Sequence, residues 1–286
     1  MNHTSRSAPA FTSQDVAVAR AMAKSASPGA LIWTWWDYGY FLQYVTGKKT
    51  FMDGGTQHPE RTFVAAYPMA CQDPELASNW MRYFAQKDLD GLREVSTRLG
   101  GADKAVALLK EVFSSPQNAG SILAAHGFEN TDEWVERLFP NSEVLVYLSR
   151  DLLDKAYWWY YFGSWDFGRA QGDHARVFAI DGSNAGQLEK GRSILINGEV
   201  ISLNRVILVD SSGGRLKGED RGSANGGGSS GEHTAVIIGG GQSAYIVDQK
   251  AFGSLASRLL IRDPLKTQRF RALAYDPAYG GGWRVE

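Results

Sequence analysis

The chain has 286 residues, 43% hydrophobic and 21% charged, which is enough to bury a sizeable core and excludes global disorder. Its 30 basic and 31 acidic residues give a net charge of −1 without a basic block, so no nucleic-acid partner is predicted. Cys71 is the single cysteine, which excludes an internal disulfide, a Cys-rich zinc site and an iron–sulfur cluster.

Helical spacing of apolar residues dominates the first half of the chain. It predicts helices over residues 13–23, 61–71, 73–84, 105–113, 121–125 and 132–139. A short strand is predicted at 30–33 and a buried strand at 144–148, followed by a helix rich in aromatic residues. Neither a signal peptide nor a membrane helix is predicted, because no apolar run approaches about 18 to 20 residues.

After about Asp173 the pattern changes from helical to alternating. Strands are predicted at 176–180, 205–210, 234–238 and 245–248, a hairpin at 193–201 and a helix over 250–260. A glycine-rich loop is predicted at 222–231. The predicted fold class is α+β. A mainly helical central core comprises residues 1–173 and 242–286, and residues 174–241 form a β-rich insertion.

The segment 33–40 reads WTWWDYGY and is the most unusual chemistry in the chain. Indole N–H groups only donate and a carboxylate only accepts, so Trp35, Trp36 and Asp37 together match a hydroxyl, which does both. Such a pocket discriminates against ligands without the hydroxyl, since its polar groups would be left unpaired. The structural alternative is a core aromatic cluster in which Asp37 caps the following helix.

The residues Trp35-Trp36-Asp37-Tyr38-Gly39 resemble the WWDYG signature of the oligosaccharyltransferase catalytic subunit, the STT3/PglB/AglB family. Residues 47–55, ending in Asp-Gly-Gly, are similar to a following stretch of that family, and residues 248–260 resemble the closing helix of its bacterial members. The resemblance covers nearly the whole chain and corresponds to the soluble C-terminal domain. It places the membrane half of the enzyme outside this sequence.

The resemblance implies a role for each residue of the motif. Trp35 and Trp36 would donate to the hydroxyl of the Ser or Thr at position +2 of an Asn-x-Ser/Thr acceptor sequon. Asp37 would accept from the same hydroxyl, while Tyr38 and Gly39 would shape the turn behind. The domain would thereby position an acceptor protein for N-glycosylation.

The resemblance also implies what the rest of the enzyme supplies. The whole protein would be a glycosyltransferase that moves an oligosaccharide from a polyprenyl lipid carrier to asparagine. Its catalytic carboxylates and a divalent metal, Mg or Mn, are expected in the membrane half, so this domain alone is predicted to be inactive, without catalytic residues or a cofactor of its own. The enzyme would lie in the inner membrane with this domain in the periplasm.

A second family motif, MxxI in many bacterial members, is matched less closely. Residues 147–150 resemble its lead-in, which places Leu152 at its first position and Lys155 at its fourth. Leucine is a conservative replacement for methionine, whereas Lys155 could offer only its aliphatic stem to a threonine methyl group. The alternative is an ordinary i,i+4 ion pair between Asp151 and Lys155 on a helix.

A different class of function stays open on the residues alone. A stand-alone carbohydrate-binding or glycoside hydrolase module would stack tryptophan on sugar rings and use Asp37 as an acid. Hydrolysis needs a second carboxylate at a defined distance, and no partner close to Asp37 in sequence is evident. Preference for a peptide over a sugar would distinguish the two functions.

Overall fold

A computed structural model describes residues 11–180, 188, 193–209, 215–220, 233–239 and 243–286. The glycine-rich loop predicted at 222–231 lies outside these residues. Within the described ranges, every helix is too short or too polar to traverse a lipid bilayer.

Helices make up most of the first half of the chain, and the predicted helices over 61–71, 105–113, 121–125 and 132–139 are confirmed. The elements are α1 (Ser13–Lys24), α2 (Gly39–Thr46), α3 (Pro59–Ala70), α4 (Pro74–Leu99), α5 (Ala102–Ser114), α6 (Ala119–Ala125), α7 (Thr131–Leu138) and α8 (Ala156–Gly163). Helix α4 continues well past the predicted 73–84 but bends at Asp88, whose φ of 51° is not helical. At this bend the Asp88 carboxylate accepts from the N–H of Leu89 at 2.7 Å.

The strands form two sheets. They are β1 (Leu31–Trp33), β2 (Val144–Ser149), β3 (Val177–Ile180), β4 (Ser193–Ile196), β5 (Glu199–Val209), β6 (Arg215–Asp220), β7 (His233–Ile238), β8 (Ser243–Asp248), β9 (Phe270–Asp276) and β10 (Gly280–Val285). The first sheet has the order β1-β2-β10-β9, and β1 runs parallel to β2. All six residues of β2 are buried, so this sheet lies inside the helical core.

The second sheet has the order β3-β8-β7-β5-β4, with β6 paired to β5. Alternate side chains of its strands point to opposite faces, and each face packs against a different core. Val236 and Ile238 pack into the main core, while Ala235 and Ile237 pack into a smaller cluster on the opposite face. The predicted boundary between the β-rich insertion and the core, at residue 241, falls between two paired strands, because β8 pairs with β7. The second sheet therefore extends to the end of β8.

The C-terminal part differs from its predicted, mainly helical course. The helix expected over 250–260 is broken into α9 (Gln249–Gly253), α10 (Leu255–Ser257) and a π-helical turn at Arg258–Arg262. Ser254 causes the break, since its extended backbone and side chain cap the next turn. Residues 270–285 form β9 and β10, and the glycines at 280–282 conceal β10 because they provide no alternating side chains.

Candidate functional site: an aromatic and acidic turn

The WWDYG segment connects β1 to α2. Trp36–Tyr38 forms one 3-10 turn, and Gly39 is the first residue of α2. Tyr38, not Asp37, occupies the N-cap position of α2, and no side chain makes a capping bond there in the described chain. The alternative in which Asp37 caps the helix is therefore wrong, and its carboxylate is available for another contact.

The buried tryptophans differ in what their indole N–H groups do. Four that are fully buried each donate to a backbone carbonyl oxygen at 2.7 to 3.0 Å, namely Trp33, Trp80, Trp159 and Trp283. Trp35 is only 3% exposed and Trp36 is half-buried, yet neither donates to an acceptor within the part of the chain that the structure describes. Their ring centroids lie 6.4 Å apart. Two neighbouring donors are therefore without an acceptor among the described residues, and pairing them with a ligand acceptor would be favourable.

The parallel pairing of β1 with β2 brings the two predicted motifs together. WWDYG follows β1 and the residues 150–155 follow β2, so both segments emerge at the same edge of the sheet. The Nζ atom of Lys155 lies 2.7 Å from Asp37 Oδ2 and 2.9 Å from Asp151 Oδ2. Lys155 thus contacts the motif and also forms the i,i+4 pair with Asp151. The side chains of Lys155 and Asp37 are 33% and 21% exposed, so this ion cluster opens to solvent.

Tyr38 joins the same two segments from the buried side. Its hydroxyl donates to Asp151 Oδ1 at 2.7 Å, and Lys155 Nζ donates to the Tyr38 hydroxyl oxygen at 3.3 Å. The Tyr38 ring packs edge-on against Tyr147 of β2, with centroids 5.9 Å apart. The tyrosine of the motif therefore fixes the position of the turn relative to β2.

Burial and hydrogen bonding oppose each other in this cluster. Burial works to raise the pKa of the Asp151 carboxyl, but hydrogen bonds from Ser149, Tyr38 and Lys155 hold that pKa below its ordinary value. For Lys155, burial works to lower the pKa, and the carboxylates of Asp37 and Asp151 raise it above its ordinary value. Burial raises the pKa of Tyr38 far above its usual range, so the phenol stays a donor. Asp151 and Lys155 are consequently both charged at neutral pH.

Gly39 allows a close approach between α2 and residues 52–53. A Cβ atom at Gly39 would lie 2.4 Å from Asp53 Cβ and 2.5 Å from the Met52 carbonyl oxygen, closer than side chains pack in proteins. Asp53 is itself held in place, since its carboxylate accepts from Gln43 Nε2 at 2.9 Å and from the Gly55 N–H at 2.9 Å. Glycine is therefore required here for space, because its φ of −56° is open to any residue.

Gly39→Ala is expected to destabilise the domain by about 1–3 kcal/mol, because the new methyl group meets backbone that cannot move aside freely. The matched control is Gly29→Ala, where nothing lies within 4 Å of the added Cβ. Thermal unfolding followed by circular dichroism should show a melting temperature several degrees lower for the first variant only. Equal melting temperatures for both variants would contradict the close contact at Gly39.

Leu152 and Lys155 precede α8 rather than lying on it. Leu152 ends the 3-10 turn Arg150–Leu152 and is fully buried, and its carbonyl oxygen accepts from the indole of Trp159 at 2.8 Å. Lys155 occupies the N-cap position of α8. In this structure the core therefore encloses the Leu152 side chain, while Lys155 extends to Asp37.

Two residues beside the motif are absent from the predicted site. Asp151 binds both Lys155 and Tyr38, and its signal in the sequence is the i,i+4 spacing to Lys155. The ring of Phe162 in α8 lies 6.5 Å from that of Trp35. Nothing marks Phe162 among the many aromatic residues of its helix, so sequence reasoning alone could not select it.

The described residues contain no group of three or more His, Cys, Asp and Glu side chains placed to hold a metal ion. At the motif, the Lys155 ammonium lies between the carboxylates of Asp37 and Asp151. The divalent metal, Mg or Mn, stays a prediction for the membrane half of the enzyme.

Fold and site together define an α+β domain in which an aromatic and acidic turn lies beside an ion cluster. Residues 28–169 match the family model of the STT3/PglB/AglB core domain. The chain is also similar to the crystal structure of the C. jejuni PglB C-terminal domain, with a TM-score of 0.58 and 15% identity over 95% of this chain and 99% of that one. No curated protein sequence matches the chain.

Residues 28–169 therefore belong to the STT3/PglB/AglB family as its core domain, and the chain has the fold of a PglB C-terminal domain. Both the predicted resemblance and the predicted α+β class are confirmed. The proteins of this family are oligosaccharyltransferases, which are glycosyltransferases.

Proposed function

We propose that the WWDYG turn binds the hydroxyl of the Ser or Thr at position +2 of an Asn-x-Ser/Thr acceptor and so positions the asparagine for glycosylation. The observation that carries this proposal is a pair of indole donors without an acceptor among the described residues, beside the partly exposed carboxylate of Asp37. Trp35 and Trp36 would donate to the hydroxyl oxygen, and the hydroxyl would donate to Asp37.

The ion cluster prepares Asp37 for this role. Lys155 contacts Asp37 through Oδ2, and Oδ1 accepts from no residue within the described ranges. The ammonium thus orients the carboxylate, while one oxygen stays available to a ligand. Tyr38 and Asp151 keep Lys155 in place and act as positioning residues.

The rest of the reaction belongs, in this proposal, to a membrane half of the kind that family members carry. That half would bind the polyprenyl-linked oligosaccharide and hold Mg or Mn with its catalytic carboxylates. The present domain would lie on the extracytoplasmic side, which for a bacterial inner-membrane enzyme is the periplasm. Alone, it would bind acceptor peptide without transferring a glycan.

The alternative of a glycoside hydrolase receives less support from the cluster. A hydrolase of this type needs one carboxyl group that stays protonated to act as the general acid. The pKa of Asp151 is instead held below its ordinary value, and Asp37 is in contact with an ammonium group. The Asp151 carboxyl group is therefore ionised at neutral pH, which does not suit a general acid.

Peptide binding tests the proposed function. We expect a labelled sequon peptide with Thr or Ser at +2 to bind this chain more tightly than the same peptide with Ala. Trp35→Phe and Trp36→Phe should each weaken binding of the Thr peptide by about two- to tenfold, which is the effect of losing one hydrogen bond. Binding of the Ala peptide should stay unchanged.

Trp134→Phe is the matched control. That half-buried tryptophan lies in α7 and packs on Phe128, outside the WWDYG turn. It should bind all three peptides like the unaltered chain. Equal binding of the Thr and Ala peptides by the unaltered chain would contradict the proposal, as would binding of sugars in place of peptides.

A further inference from the structure

An apolar groove lies between α8 and the residues of α3, α4 and α5 that face it. Its volume is about 560 Å³, within the range of ligand-binding pockets. Its walls are mainly aromatic, formed by Phe63, Tyr161, Phe162, Trp165 and Phe167. Glu60 is the one charged residue among the described residues that line it.

The groove is formed before any ligand arrives. The ring of Phe63 packs edge-on against the fully buried Trp80, at 6.1 Å between centroids, and against Phe167, at 5.4 Å. Phe167 is 39% exposed and therefore presents part of its ring to an occupant. Rigid aromatic walls of this kind suit an aromatic side chain in edge-to-face contact.

Phe162 links the groove to the proposed acceptor site. Phe162 lines the groove, and its ring lies 6.5 Å from that of Trp35. An extended polypeptide advances about 3.3–3.6 Å per residue. A chain whose +2 hydroxyl is bound at Trp35 and Asp37 is therefore long enough to reach Phe162 within about four residues.

We propose that this groove is an acceptor subsite that takes an apolar side chain, preferably aromatic, of the acceptor polypeptide within a few residues of position +2. The inference rests on the proposed function of the WWDYG turn. The subsite would make binding depend on a residue outside the Asn-x-Ser/Thr sequon.

A series of labelled peptides tests the subsite. Each peptide carries one sequon in an alanine and serine background, with a single Phe placed in turn at each flanking position within about four residues of the Thr. We expect Phe to tighten binding about tenfold over Ala at one position or two adjacent ones, because the groove covers much of the ring.

Ala102→Trp provides the loss-of-function variant, since Ala102 is an exposed groove residue at the start of α5 and a larger side chain there fills the groove from its rim. The matched control is Ala125→Trp, at an exposed alanine of α6. The Phe gain should disappear in the first variant and persist in the second. Phe167→Ala, which removes one wall, should reduce the gain independently.

The outcomes separate this proposal from the one on which it rests. Dependence on the +2 hydroxyl without any Phe gain would overturn the subsite and leave the proposed function intact. A Phe gain that is equal at all positions, or that survives in Ala102→Trp, would also overturn it. A gain that is specific in position but accompanies no +2 dependence would contradict the proposed function instead.

Discussion

Replacing Asp37 by alanine is expected to lower acceptor use by the complete enzyme about ten- to a hundredfold while the domain stays folded. The loss corresponds to one charge-assisted hydrogen bond, about 1.5–3 kcal/mol. Folding should persist because Asp37 caps no helix, and Lys155 keeps its second partner, Asp151. The measurement is kcat/KM for a sequon peptide, with circular dichroism melting of the same variant.

Two control variants sharpen this experiment. Asp37→Asn keeps an oxygen acceptor without the charge, so it should retain more activity than alanine does. Asp132→Ala removes an exposed carboxylate from the first turn of α7 and should leave kcat/KM unchanged. A melted Asp37→Ala domain would instead assign the residue a structural role, and unchanged kcat/KM would remove Asp37 from the acceptor site.

The donors and the acceptor of the site could be predicted because they are contiguous in sequence. Trp35, Trp36 and Asp37 lie on one turn, so their hydrogen-bonding chemistry can be inferred without knowledge of the fold. The same holds for the helices, whose apolar spacing is a local property. The resemblance to a known motif depends on this same contiguous segment.

The contact between Tyr38 and Asp151 could not be predicted in this way. The two residues are separated by 113 positions, and they meet because β1 and β2 pair in parallel. Pairing of strands so distant in sequence depends on the whole core. Strand β10 was concealed for a different reason, since three glycines carry no side-chain pattern, and the bend of α4 depends on the conformation of the single residue Asp88.

Lys155 links the WWDYG segment, which is recognisable in the sequence, to Asp151, which only the fold brings near it. Substituting Lys155 is the second change for which we expect a large effect on acceptor use. Its ammonium contacts both Asp37 and Asp151, so Lys155→Glu would place a third carboxylate next to these two. Like charges raise the cost of an ionised Asp37, and we expect kcat/KM for the sequon peptide to fall at least about tenfold. Lys155→Met keeps an apolar stem of similar length without the charge. Because partly exposed ion pairs contribute little, that variant should lose only about two- to fivefold.

The preference for Thr over Ser separates the charge of Lys155 from its aliphatic stem. One buried methyl group contributes about 0.8 kcal/mol, so a threonine methyl in contact with the stem gives a preference of about fourfold. Lys155→Met should keep this ratio, because its side chain still offers apolar carbon atoms, and Lys155→Glu should lower it together with overall acceptor use. The measurement is kcat/KM for matched Thr and Ser peptides on the unaltered enzyme and both variants. Identical values for all three proteins would place Lys155 outside the acceptor site and reduce its contact with Asp37 to a surface ion pair.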